Sequence, residues 1–322
     1  MNNILITSAG RRVSLTRAFQ EELKKVFPDS KVYVSDAAPE LSSAAQIADK
    51  AFKLPLVDDV NYVDVLIKLC KANDIKIIIP TIDPELPVLA INYDLFLKNN
   101  IHPIISSEGL IKDCNNKRNT HRFFETKNIK YAKEYSRTDY QFPFFIKPID
   151  GSGSSDLYII KEKKDLSQEL IDNEKLLFLK YYSKDEHDEY TCDLYYDKKH
   201  YLKCAVPRKR IEIRGGEVSK GLTRKNILLK YISERLQYID GARGCLTFQF
   251  FLHQKTDDII GIEINARFGG GYPLSYLAGA NYPKWVIKEY LLNESIEKFD
   301  NWKDNLLMLR YDSEILVEDF HG

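Results

Sequence analysis

The sequence predicts an α/β domain with a Rossmann-like parallel sheet, followed by an α+β portion built mostly on antiparallel sheet. Three observations carry this. Short apolar strands alternate with amphipathic helices over residues 1–113, the pattern of a parallel sheet with helices on both faces. From residue 114 onward, strand-like stretches follow one another through short turns. In GIEINARFGGG (Gly261 to Gly271), Glu263, Asn265 and Arg267 occupy every second position, a period of two that puts them on one face of a strand.

The first domain opens with the strand NILITS. Val13, Ala18, Phe19, Leu23 and Val26 then mark the apolar face of a helix over 12–26. KVYVSD is a second strand, VLIKLC lies in a helix over 60–73, and KIIIP is a buried strand. DPELPVLAINYDLFLKN begins with prolines and acids, as a helix start prefers, and IHPIIS closes the series. The turn SAGRR has one glycine where a dinucleotide fingerprint needs three, so NAD is not expected despite Asp36 at the end of the second strand. A small anion could sit on the backbone amides around Gly10, Arg11 and Arg12.

In the second part, NKRNTHRFFETKN reads as a helix and YQFPFFIKPIDGSGSSDLYII as a strand, a Gly/Ser turn and a returning strand. EKLLFLKYY, EYTCDLYY and HYLKCAVPRKRIEIR are strands; helices follow over 226–239 and 283–293, with a hairpin between them. If that hairpin turns about Thr256, Gln249 lies opposite Glu263. The even positions Leu246, Phe248, Phe250, Leu252, Ile260, Ile262 and Ile264 would then face a core. The odd face would gather Gln249, Glu263, Asn265 and Arg267.

Composition bounds the function. Lys+Arg and Asp+Glu balance at 47 each, with 44% hydrophobic and 29% charged residues, which argues against bulk nucleic acid or anionic membrane as partner. MNNILITSAGRRVS is not expected to act as a signal peptide, and no apolar run reaches a membrane span. Cys70, Cys114, Cys192, Cys204 and Cys245 form no C-x-x-C pair, so reduced thiols in a cytoplasmic protein are expected and zinc is not.

A carboxylate and amide oxygens on one face suit a hard cation such as Mg²⁺, and an arginine beside them suits phosphate. In FFIKPIDGSGSS, Lys147 precedes a Gly/Ser loop whose amides can approach phosphate oxygens; the order is not that of a Walker A loop. In VPRKRIEIRGG, Arg208, Arg210 and Arg214 share one strand face, with Ile211 and Ile213 on the other, and could clamp a carboxylate or acyl phosphate. Asp83 and Glu85 fit helix capping and substrate contact equally.

This ordered set resembles the ATP-grasp superfamily, most of all single-module proteins related to half of the carbamoyl-phosphate synthase large subunit. The resemblance runs from ILITSAGRR through IIIPTIDPEL, NNKRNTHRFF, FFIKP, DEYTCD and VPRKRIEIRGGEVSKG to GIEINARFGGGYPLSYLAGANYP. It implies a Rossmann-like domain (1–113), a small lobe with a phosphate flap (114–182) and a large lobe with the metal site (183–322). It also implies ATP with Mg²⁺, for which Mn²⁺ could substitute. Lys117 and Lys147 would hold phosphates under a flap of Gly151, Ser152, Gly153 and Ser154. Lys180, Tyr181 and Tyr182 would form the hinge at adenine, and Glu189 would meet ribose. Gln249, Glu263 and Asn265 would face the metal, while Arg267, Lys147 and Asn265 would serve the transferred phosphate. Arg208, Arg210, Gly270 and Tyr272 would stand on the substrate side. Leu179-Lys180 replaces the Gln-Glu pair common in relatives, and N-A-R their N-P-R. The implied activity is carboxylate–amine ligation of small molecules through an acyl phosphate, in a cytoplasmic protein with a homodimer as default assembly. The alternatives are phosphorylation of bicarbonate or carbamate, and a non-catalytic nucleotide-binding protein.

Overall fold

The computed structural model describes residues 1–150, 156–318 and 320. Strands β1 (Asn3–Thr7), β2 (Val32–Asp36), β3 (Lys50–Lys53), β4 (Ile75–Pro80) and β5 (His102–Pro103) form a parallel sheet in the order β3-β2-β1-β4-β5. Ile4, Leu5 and Ile6 are fully buried, as a central strand covered on both faces requires. The helix Val13–Val26 buries Leu15, Ala18, Phe19 and Leu23, whereas Val26 at its last turn is exposed. The sequence did not announce β3: KAFK carries lysines at both ends and little apolar alternation, as protected edge strands do. The expected helix after residue 84 is two helices, Glu85–Ile91 and Tyr93–Lys98, meeting at Asn92.

Two antiparallel sheets follow. β6 (Glu134–Tyr135), β7 (Phe144–Pro148), β8 (Tyr158–Ile160) and β9 (Leu176–Lys180) pair in the order β6-β9-β7-β8 around a small core of Phe144, Ile146, Ile160, Leu176 and Phe178. β10 (His187–Tyr196), β11 (Leu202–Arg214), β12 (Glu217–Thr223), β13 (Gly244–His253), β14 (Ile259–Asn265) and β15 (Leu307–Leu309) pair in the order β14-β13-β10-β11-β12-β15. The apolar face of this large sheet (Tyr190, Cys192, Phe248, Phe250) shares one core with Leu66, Leu86 and Phe96 of the first domain. That shared core anchors the parallel sheet against the large sheet.

The hairpin register is as expected at its polar end, where Thr247, Phe248 and Gln249 pair with Asn265, Ile264 and Glu263. Between Gln249 and Phe250 the ladder slips by one residue and skips Ile262. A one-residue slip exchanges the faces beyond it. Ile259, not Ile260, therefore packs in the core with Leu252, and Ile260 pairs with Phe251 on the opposite face. Gly261 sits at this bulge. A Cβ there would lie 2.6 Å from the ring of buried Phe124, so only glycine lets the strand approach so closely.

Candidate active site

The polar face of the large sheet, the small sheet and the loops of the first domain enclose a cavity of about 1140 Å³. That volume lies just above the usual range for single small-molecule sites, about 300–1,000 Å³, and leaves room for two reactants. Cross-strand pairing builds its floor: Glu263, Gln249, Thr191 and Arg208 stand side by side on β14, β13, β10 and β11. The Gln249 amide nitrogen donates to Glu263 Oε1 at 2.5 Å and the Asn265 amide nitrogen to the same oxygen at 3.2 Å. Among the described residues no group of three His, Cys, Asp or Glu side chains could hold a metal. The three oxygen-bearing side chains instead match a hard cation that arrives with phosphate ligands and keeps some of its water.

Two lysines face this trio. Lys147 on β7 is 6% exposed, and its ammonium donates to the Ile262 carbonyl at 3.4 Å. The bulge that skips Ile262 leaves that carbonyl outside the β13 ladder. Burial lowers the Lys147 pKa to about 8, against the pull of Glu263 and with the push of Lys117. Lys117 opens the helix Lys117–Thr126, capped by the Asn116 side chain, and its backbone N–H donates to the Ile149 carbonyl at 2.9 Å. This pins the helix start to the end of β7 and brings Lys117 to the cavity. Burial lowers its pKa too, opposed by Glu263, Asp150 and Asp83.

Three arginines are held by acids. Arg267 makes a two-bond pair with Asp83 at 2.5 and 2.9 Å. Asp83 thus faces the cavity, whereas Glu85 is buried and accepts from the Tyr62 hydroxyl at 2.5 Å. Arg210 Nη1 lies 3.1 Å from Glu189 and donates to Gln249 Oε1 at 3.0 Å. Burial raises the Glu189 pKa, partly offset by Arg210. Arg208 is 1% exposed and binds Asp193 through two bonds at 2.8 and 2.9 Å. Its Nη1 has no hydrogen-bond partner among the described residues.

Two sequence expectations fail. Arg214 pairs with exposed Asp312 at 2.6 Å outside the cavity, because β11 has register shifts between Arg210 and Ile213 that turn Ile213 inward instead. Tyr272 is not on the substrate side: it is 1% exposed, and its hydroxyl donates to the Ala280 carbonyl at 2.9 Å in an aromatic cluster with Phe268 and Tyr282. The other expected residues that the structure describes, including Gly270, line the cavity. Gly151, Ser152, Gly153 and Ser154 lie outside the described residues.

Lys180, Tyr181 and Tyr182 border the apolar end of the cavity with Phe145, Leu179 and Ile260. The Tyr182 ring lies 5.9 Å from that of Phe251 and under the Lys180 ammonium at 5.3 Å. The slip that turned Ile260 inward supplies part of this wall. At the opposite end stand Arg11 and Arg12. The amides near them do not form an anion nest: the Gly10 N–H donates to Asp36 Oδ2 at 3.0 Å and the Arg12 N–H to the Ala9 carbonyl at 2.8 Å.

Two family models match the chain: the PylC-like N-terminal domain over residues 4–104, and the ATP-grasp of the biosynthetic pathway with Ter operon over residues 173–311. Residues 173–311 thus match an ATP-grasp family. Solved structures share the fold. The biotin carboxylase domain of Hydrogenobacter thermophilus 2-oxoglutarate carboxylase, in complex with MgADP, ADP and bicarbonate, matches at TM-score 0.71 and 14% identity, over 94% of this chain and 73% of that one. The L-amino acid ligase of Bacillus licheniformis matches at 0.67 and 15%, over 90% and 74%. The ADP complex of N5-carboxyaminoimidazole synthetase from Staphylococcus aureus matches at 0.68 and 15%, over 93% and 79%. No curated protein sequence matches. No helix among the described residues is long and apolar enough to cross a membrane.

Sequence reasoning missed Asp193, Glu217 and the pairing role of Asp83. Asp193 had a readable signal: Glu189, Thr191 and Asp193 alternate in DEYTCD just as Glu263, Asn265 and Arg267 do in GIEINAR.

Proposed function

We propose that this protein is an ATP- and Mg²⁺-dependent carboxylate–amine ligase acting on small molecules. The observation that carries the reading is one cavity that joins the Gln249–Glu263–Asn265 face to two lysines, half-buried Lys117 and buried Lys147. Such a set has no nucleophile of its own, and phosphoryl transfer asks for alignment and charge neutralisation rather than one. In the reaction, a carboxylate oxygen bonds to the γ-phosphorus as the bond to ADP breaks. The amine nitrogen then bonds to the acyl carbon, phosphate leaves, and the nitrogen loses a proton to solvent.

The protein's share is positioning. Lys117 and Lys147 hold the phosphate chain, and Arg267, oriented by Asp83, meets the transferred group. Gln249, Glu263 and Asn265 would hold Mg²⁺, which supplies charge neutralisation at the phosphates. Lys180, Tyr181 and Tyr182 border adenine, Glu189 the ribose, and Arg208 with Arg210 and Gly270 the acid. The lobes at 1–113, 114–182 and 183–322, a cytoplasmic location and a homodimer belong to the same reading.

A screen of carboxylates against amines, bicarbonate included, tests it. Mg²⁺-dependent ADP and phosphate release that requires both an acid and an amine supports the ligase. Release with bicarbonate alone favours the carboxyphosphate alternative, and nucleotide binding without release under any pairing favours a non-catalytic protein.

A further inference from the structure

Cation and anion are unevenly matched across the cavity. Arg267, Arg208 and Arg210 each have a carboxylate partner in Asp83, Asp193 and Glu189. At the far end, three guanidinium groups share one carboxylate. Arg12 Nη1 lies 3.0 Å from Glu217 Oε1, Arg310 Nη1 lies 2.8 Å from Oε2, and Arg11 Nε lies 4.0 Å from Oε2. The Arg12 and Glu217 side chains are 18% and 22% exposed, so solvent screens Arg12 poorly, whereas Arg11 at the rim is 67% exposed. Burial pushes the Glu217 pKa up, yet Arg12, Arg11 and Arg310 together hold it below the ordinary value. Arg12 responds to the positive charge of Arg267 as well, so the two lie within one field.

The backbone ties this end to the chemistry. A Cβ on Gly270, three residues after Arg267, would lie 2.5 Å from Arg12 Nη1 and 2.4 Å from the Glu217 carboxyl. A Cβ on Gly271 would lie 2.2 Å from Arg208 Nη1, the atom with no partner among the described residues. The glycine turn therefore lets Arg267, Arg208 and Arg12 converge along one wall.

We propose that Arg12, with Arg11 beside it, binds a second anionic group, carboxylate or phosphate, on the acid substrate, whose reacting carboxylate lies toward Arg267 and Lys147. The substrate acid is thus at least a dianion; this rests on the ligase reading. A zwitterion with its ammonium on Glu217 fits less well, since Oε2 already accepts from Arg310 and Oε1 already lies 3.0 Å from the Arg12 guanidinium.

The test is calorimetry on protein first saturated with MgAMPPNP. Succinate, glutarate and adipate are titrated against their monoamides, and 3-phosphoglycerate against glycerate. In at least one pair the dianion should bind about tenfold tighter, the worth of one charge-assisted contact. Arg12→Gln should remove most of that preference with MgAMPPNP affinity unchanged, and Glu217→Gln should tighten the dianion about threefold by releasing the guanidinium groups. The pair that responds tells carboxylate from phosphate. Equal affinities within every pair, a preference that survives Arg12→Gln, or weaker dianion binding in Glu217→Gln would overturn the proposal. Failure of MgAMPPNP itself to bind, read before any acid is added, would overturn the ligase reading and this proposal with it.

Discussion

Replacing Lys147 by methionine separates a phosphate ligand from a structural lysine. The substitution keeps the length of the side chain and removes the charge. In the free protein that charge is poorly placed: 6% exposed, 3.4 Å from the Ile262 carbonyl, and with its pKa lowered to about 8 by burial. The distance from the ordinary 10.5 corresponds to roughly 3 kcal/mol disfavouring the ammonium in the fold. Lys147→Met should therefore leave stability unchanged or raise it at pH 7. The sign of the pH dependence follows. Between about 8 and 10.5 the unfolded chain holds this proton and the folded protein does not, so folding stability gains from Lys147 as pH rises through that window. The methionine variant lacks this gain. Phosphate binding reverses the balance by giving the ammonium a partner. Losing one charge-assisted contact costs roughly 1.5–3 kcal/mol, about one to two decades in MgATP affinity. Wild-type affinity should also fall as pH rises above about 8, while the variant stays flat. Calorimetry with MgATP and with adenosine at pH 7, 8 and 9 measures both effects. Equal losses for ATP and adenosine, or a wild-type affinity indifferent to pH, would refute the reasoning.

Other perturbations read other parts of the site. Glu263→Gln should abolish ADP release while urea unfolding stays cooperative, because the residue faces the cavity rather than the core; turnover near the wild-type rate would remove it from the metal site. Asp193→Asn should cost about 3–5 kcal/mol in urea unfolding, since it strands the buried Arg208 cation, whereas Arg214→Ala, at an exposed pair, should cost less than about 1 kcal/mol. Similar losses for the two would contradict the burial argument. Gly261→Ala should destabilise by about 1–3 kcal/mol through the Phe124 ring, and Phe124→Leu in the same chain should recover part of that loss.

Period-two alternation made the polar face of the hairpin legible, and the pairing of Gln249 with Glu263 followed from counting to the turn centre. The same counting went wrong three residues further on, because nothing in FLHQKTDDIIGIEIN marks the slip that turns Ile260 inward. The β11 shifts hid Arg214 and Ile213 from the same reasoning. Tyr272 lay in a glycine-rich stretch next to the site, yet its aromatic neighbours Phe268 and Tyr282 draw it into the core. Asp83, Arg12 and Glu217 reach the cavity from loops and strands far apart in sequence, so their meeting depends on tertiary packing that no local pattern encodes.

The central claim is phosphoryl transfer to a carboxylate, and isotope transfer tests it most directly. An acid that supports turnover is labelled with ¹⁸O in its carboxyl group and incubated with MgATP and the amine, and the released phosphate is examined by mass spectrometry. Passage through an acyl phosphate predicts one carboxyl oxygen in each phosphate released, and loss of that product in Glu263→Gln. Unlabelled phosphate formed at the same rate would mean water, not the acid, attacks ATP, and would contradict the account.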